Sequence, residues 1–321
     1  MKTFFVSLSR FPLRIVYTII GVIFRADKRI AERLPRYFPT YRAFAGETIN
    51  QLFKCVKSSR SFLPQGIILE PTNICNLRCA HCVPQSLNEK RGMMEYDFYV
   101  SILDSNPQLT SMILSRNGEP FLHPNIFDMI SYAKRKGIYM AVYTNGMLLK
   151  SDRCSDIISS GLDEINFSLE AVGDAYEKNR GVPYSFFSEA LSSLLSKRAI
   201  SGSRLRVGLN IAKIGACETA LRNIYEEWAG KVDVIDVEPI MGGKSSRRRL
   251  PCRTLWRNVV VRWDGIVLPC CIDMKSSLVM GDAKTASLKE IFNSPQARAL
   301  RLKHIKGEYP PVCEYCDSLF G

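Results

Sequence analysis

Short apolar segments alternate with longer amphipathic ones between residues 66 and 237, and this alternation restricts the fold more than any other feature. The predicted strands are 66–70, 110–115, 138–143, 164–169, 205–211 and 232–237. Strands that alternate with helices form parallel sheets. Six such units are too few to close an eight-stranded barrel. The sequence therefore predicts an α/β fold, a partial (β/α)6 TIM-like barrel or open curved sheet, with its chemistry at the carboxyl ends of the strands.

Three cysteines follow the first predicted strand in a C-x₃-C-x₂-C arrangement: Cys75, Cys79 and Cys82. Three thiolates on one tight loop can bind three irons of a cubane cluster and leave the fourth iron for another ligand. Zinc is the weaker alternative, because structural zinc sites use four ligands. Buried thiols that act as small apolar side chains are the remaining alternative. The spacing favours an iron–sulfur site on the first βα loop.

With this loop the chain resembles the radical S-adenosylmethionine (radical SAM) superfamily over about residues 66–240. The signature of that family has an aromatic-type residue before the last cysteine, a place that His81 occupies here. Residues 117–120 read Asn-Gly-Glu-Pro and resemble the Gly-Gly-Glu-Pro motif of the family, except at the first position. Residues 144–146 read Thr-Asn-Gly and resemble a turn that is common after the third strand.

The resemblance implies a set of contacts with SAM. The implied residues are His81, Asn117, Gly118, Glu119, Asn145, Ser168 and Arg180. SAM is a zwitterion, so it requires an anion near its ammonium and a cation near its carboxylate. Glu119 and Arg180 can supply one each, through charge-assisted hydrogen bonds. An ordinary strand hydroxyl at Ser168 and a surface arginine at Arg180 are the alternatives.

A second group of cysteines lies beyond residue 250, after a predicted hairpin with a type I′ turn at Asp264-Gly265. This group resembles the twitch domain, a shortened relative of the SPASM domain that binds one auxiliary four-iron cluster. The resemblance implies four ligands, namely Cys252, Cys270, Cys313 and Cys316. Cys271 can take the place of Cys270, and zinc in the same four thiolates is an alternative. We therefore divide the chain into 1–62, 63–249 and 250–321.

Residues 1–62 hold twelve basic and three acidic residues, which is most of the net charge of +13. The apolar run at 15–24 is too short to span a bilayer, which takes roughly 20 residues. A membrane-surface helix within residues 1–25 and a helix packed on the protein's own barrel both fit. The basic residues match no nucleic-acid motif, so no nucleic-acid partner is expected. No signal peptide is evident, which favours the cytoplasm, with peripheral attachment to the inner face of the membrane as an option.

The resemblance implies two 4Fe-4S clusters, SAM and a flavodoxin- or ferredoxin-type reductant. Reductive cleavage of SAM would give a 5′-deoxyadenosyl radical that removes a hydrogen atom from a substrate. We predict the oxidation of a sugar-like or lipid-linked alcohol, with the auxiliary cluster as electron acceptor. Epimerisation, with Cys217 or Cys271 as hydrogen-atom donor, and peptide modification are alternatives. A non-catalytic iron–sulfur or zinc protein is a distant one.

Overall fold

The computed structural model describes residues 59, 61, 63–82, 89–212, 218–238, 251–313 and 316. Residues 1–62, apart from Ser59 and Ser61, lie outside these ranges, and so does Cys217. Within the described ranges, no helix is long and apolar enough to cross a membrane.

Six parallel strands form the main sheet, and all six predicted strands are confirmed. They are β1 (Gly66–Leu69), β2 (Ser111–Leu114), β3 (Tyr139–Thr144), β4 (Glu164–Leu169), β5 (Arg206–Ala212) and β6 (Val234–Glu238). Each strand pairs in parallel with the next one along the chain. The sheet stays open, as the strand count predicts. Its loops after the strands therefore share one edge, where the candidate motifs meet.

Helices connect these strands. They are α1 (Tyr96–Asp104), α2 (Ile126–Arg135), α3 (Ser151–Ser159), α4 (Gly173–Arg180), α5 (Tyr184–Ser201) and α6 (Glu218–Trp228). In α2 the buried residues Ile126, Met129, Ile130 and Ala133 recur at the spacing of one helix face, which packs on the core. Helix α4 ends at Gly181, whose φ of 72° is the left-handed conformation that glycine adopts readily.

The C-terminal module continues the same sheet instead of forming a separate one. Its strands are β7 (Asn258–Val261), β8 (Ile266–Leu268) and β9 (Gly281–Asp282). Strand β7 pairs in parallel with β1, and β8 and β9 follow in antiparallel order. Strand β1, which leads into the first cysteine loop, is therefore internal to a nine-stranded sheet. The boundary proposed at residue 250 stays a prediction.

The predicted type I′ turn between β7 and β8 is wrong. Such a turn requires positive φ at both central residues. The Gly265 N–H instead donates to the carbonyl of Arg262, and of the residues 263–265 only Gly265 has a positive φ, of 97°. The loop is thus one residue longer, with glycine alone taking the left-handed conformation.

Three further helices complete the module: α7 (Thr254–Arg257), α8 (Leu288–Phe292) and α9 (Pro295–Lys306). Trp256 and Leu300 pack with Cys252 and Cys316 in a small second core. Residues of this core also line the auxiliary cysteine site.

Candidate active site and auxiliary cysteine site

The first cysteine loop follows β1 and presents Cys75, Cys79 and Cys82 as half-buried free thiols. Burial raises the pKa of Cys75 and of Cys79, and the neighbouring cysteines of the loop raise both further. As thiolates the three cysteines would repel one another, so the loop suits a cationic iron–sulfur cluster bound by all three.

The carboxylate of Glu119 is held at the end of β2 and is 1% exposed. Its Oε1 accepts hydrogen bonds from Thr144 Oγ1 at 2.9 Å and from the Phe121 N–H at 3.1 Å. Its Oε2 accepts one from the Asn145 N–H at 2.8 Å. Burial raises the pKa of Glu119, and these hydrogen bonds oppose that rise. A carboxylate has about four acceptor positions, so one remains for a ligand.

Asn145 connects the turn after β3 to the cysteine loop. Its Nδ2 donates to Asn76 Oδ1 at 2.8 Å and lies 3.7 Å from Cys75 Sγ. Its main chain bonds Glu119, as described above. The three sequence motifs at the ends of β1, β2 and β3 therefore form one hydrogen-bonded unit.

Gly118 is required by the close approach of this motif to the cysteine loop. A Cβ at this position would lie 2.2 Å from the carbonyl oxygen of Thr72 and 2.6 Å from that of Ile74. Beside it, Asn117 Oδ1 is buried and has no hydrogen-bond partner among the described residues. A buried acceptor of this kind calls for a donor. Together with the free acceptor position on Glu119, it fits the ammonium of SAM.

Arg180 lies at the end of α4 and forms a buried ion pair with Glu170. The Nη2–Oε2 distance is 2.6 Å, and the side chains are 7% and 2% exposed. Nη2 also donates to the carbonyl of Ser168 at 2.8 Å, and the guanidinium lies over the Tyr176 ring. The predicted contact of Arg180 with the methionine carboxylate stays a prediction, since this structure gives the arginine a partner within the chain.

Two other predicted residues lie at the same edge. Ser168 is half-buried near the end of β4, and His81 is half-buried beside Cys82. Their contacts with SAM stay predictions. Glu170 was missed from the sequence, although an acid directly after β4, ten residues before a basic residue, was a usable signal.

A cavity in the C-terminal module is lined by cysteines of the second group. Its cysteine lining consists of Cys252, Cys270, Cys313 and Cys316. These are the four predicted ligands of the auxiliary cluster, and Cys271 is not part of the lining. The geometry thus supports Cys270 over Cys271, and the ligand assignment itself stays a prediction.

The walls of this cavity are mostly apolar. They include Leu255, Ile272, Leu278, Leu300 and Val312. Burial raises the pKa of Cys252, and a hydrogen bond with Cys271 is the main cause of the raised pKa of Cys270. Four thiols in an apolar cavity are the donor set of an iron–sulfur cluster shielded from water.

Comparison with known proteins agrees with both sites. A model of the radical SAM superfamily matches residues 69–197. A model of SPASM, an iron–sulfur cluster-binding domain, matches residues 252–317. The two matches contain all seven cysteines that the sequence assigns to clusters.

Two characterised relatives differ in how much of the chain they match. The subtilosin biosynthesis protein AlbA of Bacillus subtilis is 25% identical over 316 residues, which covers 80% of this chain and 67% of AlbA. The tungsten-containing aldehyde ferredoxin oxidoreductase cofactor-modifying protein of Pyrococcus furiosus is 34% identical over 112 residues, or 34% of this chain. The chain spans 32% of the length of that relative.

Two solved structures share the fold. SuiB of Streptococcus suis, bound to S-adenosylmethionine, has a TM-score of 0.63 and 14% identity, over 95% of this chain and 84% of SuiB. BtrN, in complex with AdoMet and 2-DOIA, has a TM-score of 0.57 and 17% identity, over 80% of this chain and 94% of BtrN.

Proposed function

Because the chain belongs to the radical SAM superfamily and carries a C-terminal SPASM domain, we propose that it oxidises an alcohol carbon of a sugar-like or lipid-linked substrate to a ketone. The chain is a radical SAM enzyme that uses a 4Fe-4S cluster, SAM and an auxiliary cluster. The substrate, the reaction type and the role of each residue are the proposal.

The residues of the first site hold and orient the cofactor. Cys75, Cys79 and Cys82 bind three irons of the cluster, and Glu119 and Asn117 accept hydrogen bonds from the methionine ammonium. Asn145 connects the cysteine loop to Glu119, since its side chain donates to Asn76 and its main-chain N–H donates to Glu119. When bound, the reduced cluster and SAM supply a 5′-deoxyadenosyl radical that removes a hydrogen atom from the substrate.

The main observation in favour of the proposed alcohol oxidation is the cavity lined by four cysteines. After an alcohol carbon loses a hydrogen atom, formation of a ketone requires the loss of one more electron and one proton. A four-iron cluster with one protein thiolate on each iron has no iron free to bind a substrate. Electron transfer is therefore its expected role. The apolar walls shield such a centre from water. The similar fold of BtrN, solved with AdoMet and a second compound, is compatible with a small-molecule substrate.

Peptide modification is a second candidate function. AlbA, a bacteriocin biosynthesis protein, aligns over 80% of this chain, a larger share than the other sequence relative described above. A peptide substrate would also use both cysteine sites. The two candidates therefore differ in the substrate they accept and not in the cofactors they need.

The test is product formation by the anaerobically reconstituted full chain with dithionite, SAM and two substrate panels. One panel holds cyclitols, nucleotide-linked sugars and polyprenyl-linked sugars, and the other holds peptides. We expect 5′-deoxyadenosine together with a ketone that has two hydrogen atoms fewer than the alcohol substrate. A crosslinked peptide, identified by its fragmentation, would favour the second candidate. An alcohol product of unchanged mass and inverted configuration would establish epimerisation instead.

A further inference from the structure

Arg116 directly precedes the Asn-Gly-Glu motif, and its side chain reaches the loop that follows Cys271. Its Nη2 donates to the carbonyls of Asp273 at 2.9 Å and Met274 at 3.3 Å, and to Ser276 Oγ at 3.1 Å. Its Nη1 lies 3.1 Å from Glu70 Oε1, and both side chains are 1% exposed. One buried guanidinium therefore touches the end of β1 and the loop beside the auxiliary cavity.

Backbone strain marks both ends of this contact. Arg116 has a φ of 142° and Ser276 a φ of 53°. They are the two non-glycine residues with positive φ in the described part of the chain. A strained backbone persists only where its surroundings enforce it, and such residues cluster at functional sites. Strain in both partners of one hydrogen bond indicates that the geometry of this contact is enforced.

Further hydrogen bonds hold Glu70 and Ser276, two of the partners of Arg116. Glu70 accepts hydrogen bonds from the main-chain N–H groups of Asn117 at 3.3 Å and Trp263 at 3.4 Å. Ser276 Oγ also accepts one from Arg262 Nη1 at 2.7 Å. Residues 117–119, the turn between β7 and β8 and the loop that follows Cys271 thus belong to one hydrogen-bonded network.

We propose that Arg116 is a positioning residue that holds the loop that follows Cys271 in a fixed position relative to the SAM-binding motif at residues 117–119. Binding of SAM and the geometry of the auxiliary site then depend on each other, since coupling between two binding sites is reciprocal. This inference rests on the proposed function only in taking residues 117–119 as a SAM site and the four-cysteine cavity as a cluster site.

A simple buried ion pair would need only Glu70. The Nη2 group of Arg116 bonds main-chain carbonyls instead, in a planar arrangement that lysine cannot reproduce. Lysine would keep the charge opposite Glu70 and lose part of the contact with the loop. Arg116→Lys should therefore restore part of what Arg116→Met loses.

The experiment measures the Kd for SAM by anaerobic equilibrium dialysis with reconstituted full chains of known iron content. We expect Arg116→Met to weaken SAM binding about tenfold, as for the loss of a hydrogen bond to a charged group. Arg116→Lys should fall between that variant and the wild type. Ser276→Ala, which removes the hydroxyl that accepts hydrogen bonds from Arg116 and Arg262, should weaken binding about threefold. Ser277→Ala is the matched control, because that hydroxyl bonds Asp273 Oδ1 at 2.7 Å and not Arg116.

The inference is overturned if Ser276→Ala and Ser277→Ala change the Kd equally, or if Arg116→Met binds SAM as the wild type does. If Arg116→Met does not fold, the two serine variants decide alone. A wild-type chain that binds SAM but oxidises no alcohol would end the proposed function and leave this inference standing.

Discussion

The two cysteine sites of this chain differ in what surrounds the thiols. Cys75, Cys79 and Cys82 are half-buried and lie near the charged side chains of Glu119 and Arg180. The auxiliary cysteines line a mostly apolar cavity. Polar groups with free hydrogen-bonding capacity suit a zwitterionic ligand, whereas apolar walls suit a closed redox centre. The difference is consistent with the proposed division of tasks, in which the first site binds and activates a cofactor and the second one accepts electrons.

The largest expected effect comes from removing one thiolate from either site. Cys79→Ala should abolish 5′-deoxyadenosine formation, because three thiolates are all that the loop supplies. Cys313→Ala should retain 5′-deoxyadenosine formation while iron falls from about eight toward about four per chain. Chromatography of the nucleoside and iron analysis check both. If Cys313→Ala also abolished formation of the nucleoside, with the first cluster intact, the two sites would not have separate tasks.

Arg180→Met should have the next largest effect, on stability. The substitution leaves Glu170 buried without its partner, which costs about 3–5 kcal/mol. Arg206→Met is the control: it breaks an ion pair with Glu164 in which the arginine side chain is 53% exposed. Such a pair contributes less than about 1 kcal/mol. Denaturant unfolding of the two reconstituted variants measures the difference, and equal losses would contradict the role of burial.

Glu119→Gln should weaken SAM binding about thirtyfold, which corresponds to the loss of a charge-assisted hydrogen bond. The amide also turns an N–H₂ group toward donors that now bond the carboxylate. Equilibrium dialysis with labelled SAM measures the Kd. Glu164→Gln, at the start of β4 and away from the motif, should bind SAM normally. An unchanged Kd in Glu119→Gln would exclude the carboxylate as the anion near the ammonium.

The smallest expected effect is that of Cys271→Ala, measured against Cys270→Ala at the adjacent position. Cys271 is not part of the cavity lining and Cys270 is. Cys271→Ala should therefore keep iron near about eight per chain, and Cys270→Ala should lower it. Iron analysis with the electron paramagnetic resonance spectrum of the reduced protein checks the pair. Loss of iron in Cys271→Ala alone would reverse the assignment.

The sequence predicts the parts of the molecule that depend on local pattern. The six strands follow from apolar periodicity, and the meeting of the three motifs follows from their place after parallel strands. The pairing of Glu70 with Arg116 and the contact of Arg116 with Ser276 could not be predicted. The two residues of each contact are 46 and 160 positions apart in the sequence, so no local pattern predicts that they meet. The predicted type I′ turn between β7 and β8 was wrong because an Asp-Gly pair fits more than one type of turn.

The pairing of β1 with β7 has a consequence for biosynthesis. Gly66 of β1 pairs with Asn258 of β7, so one edge of β1 stays without its neighbour until the C-terminal module leaves the ribosome. An open strand edge invites pairing with other chains, and contacts so distant in sequence form slowly. The nascent chain meanwhile exposes three reactive thiols on the loop that this strand anchors. Chains that end before β7 are therefore expected to associate with one another through this open edge more readily than the full chain does.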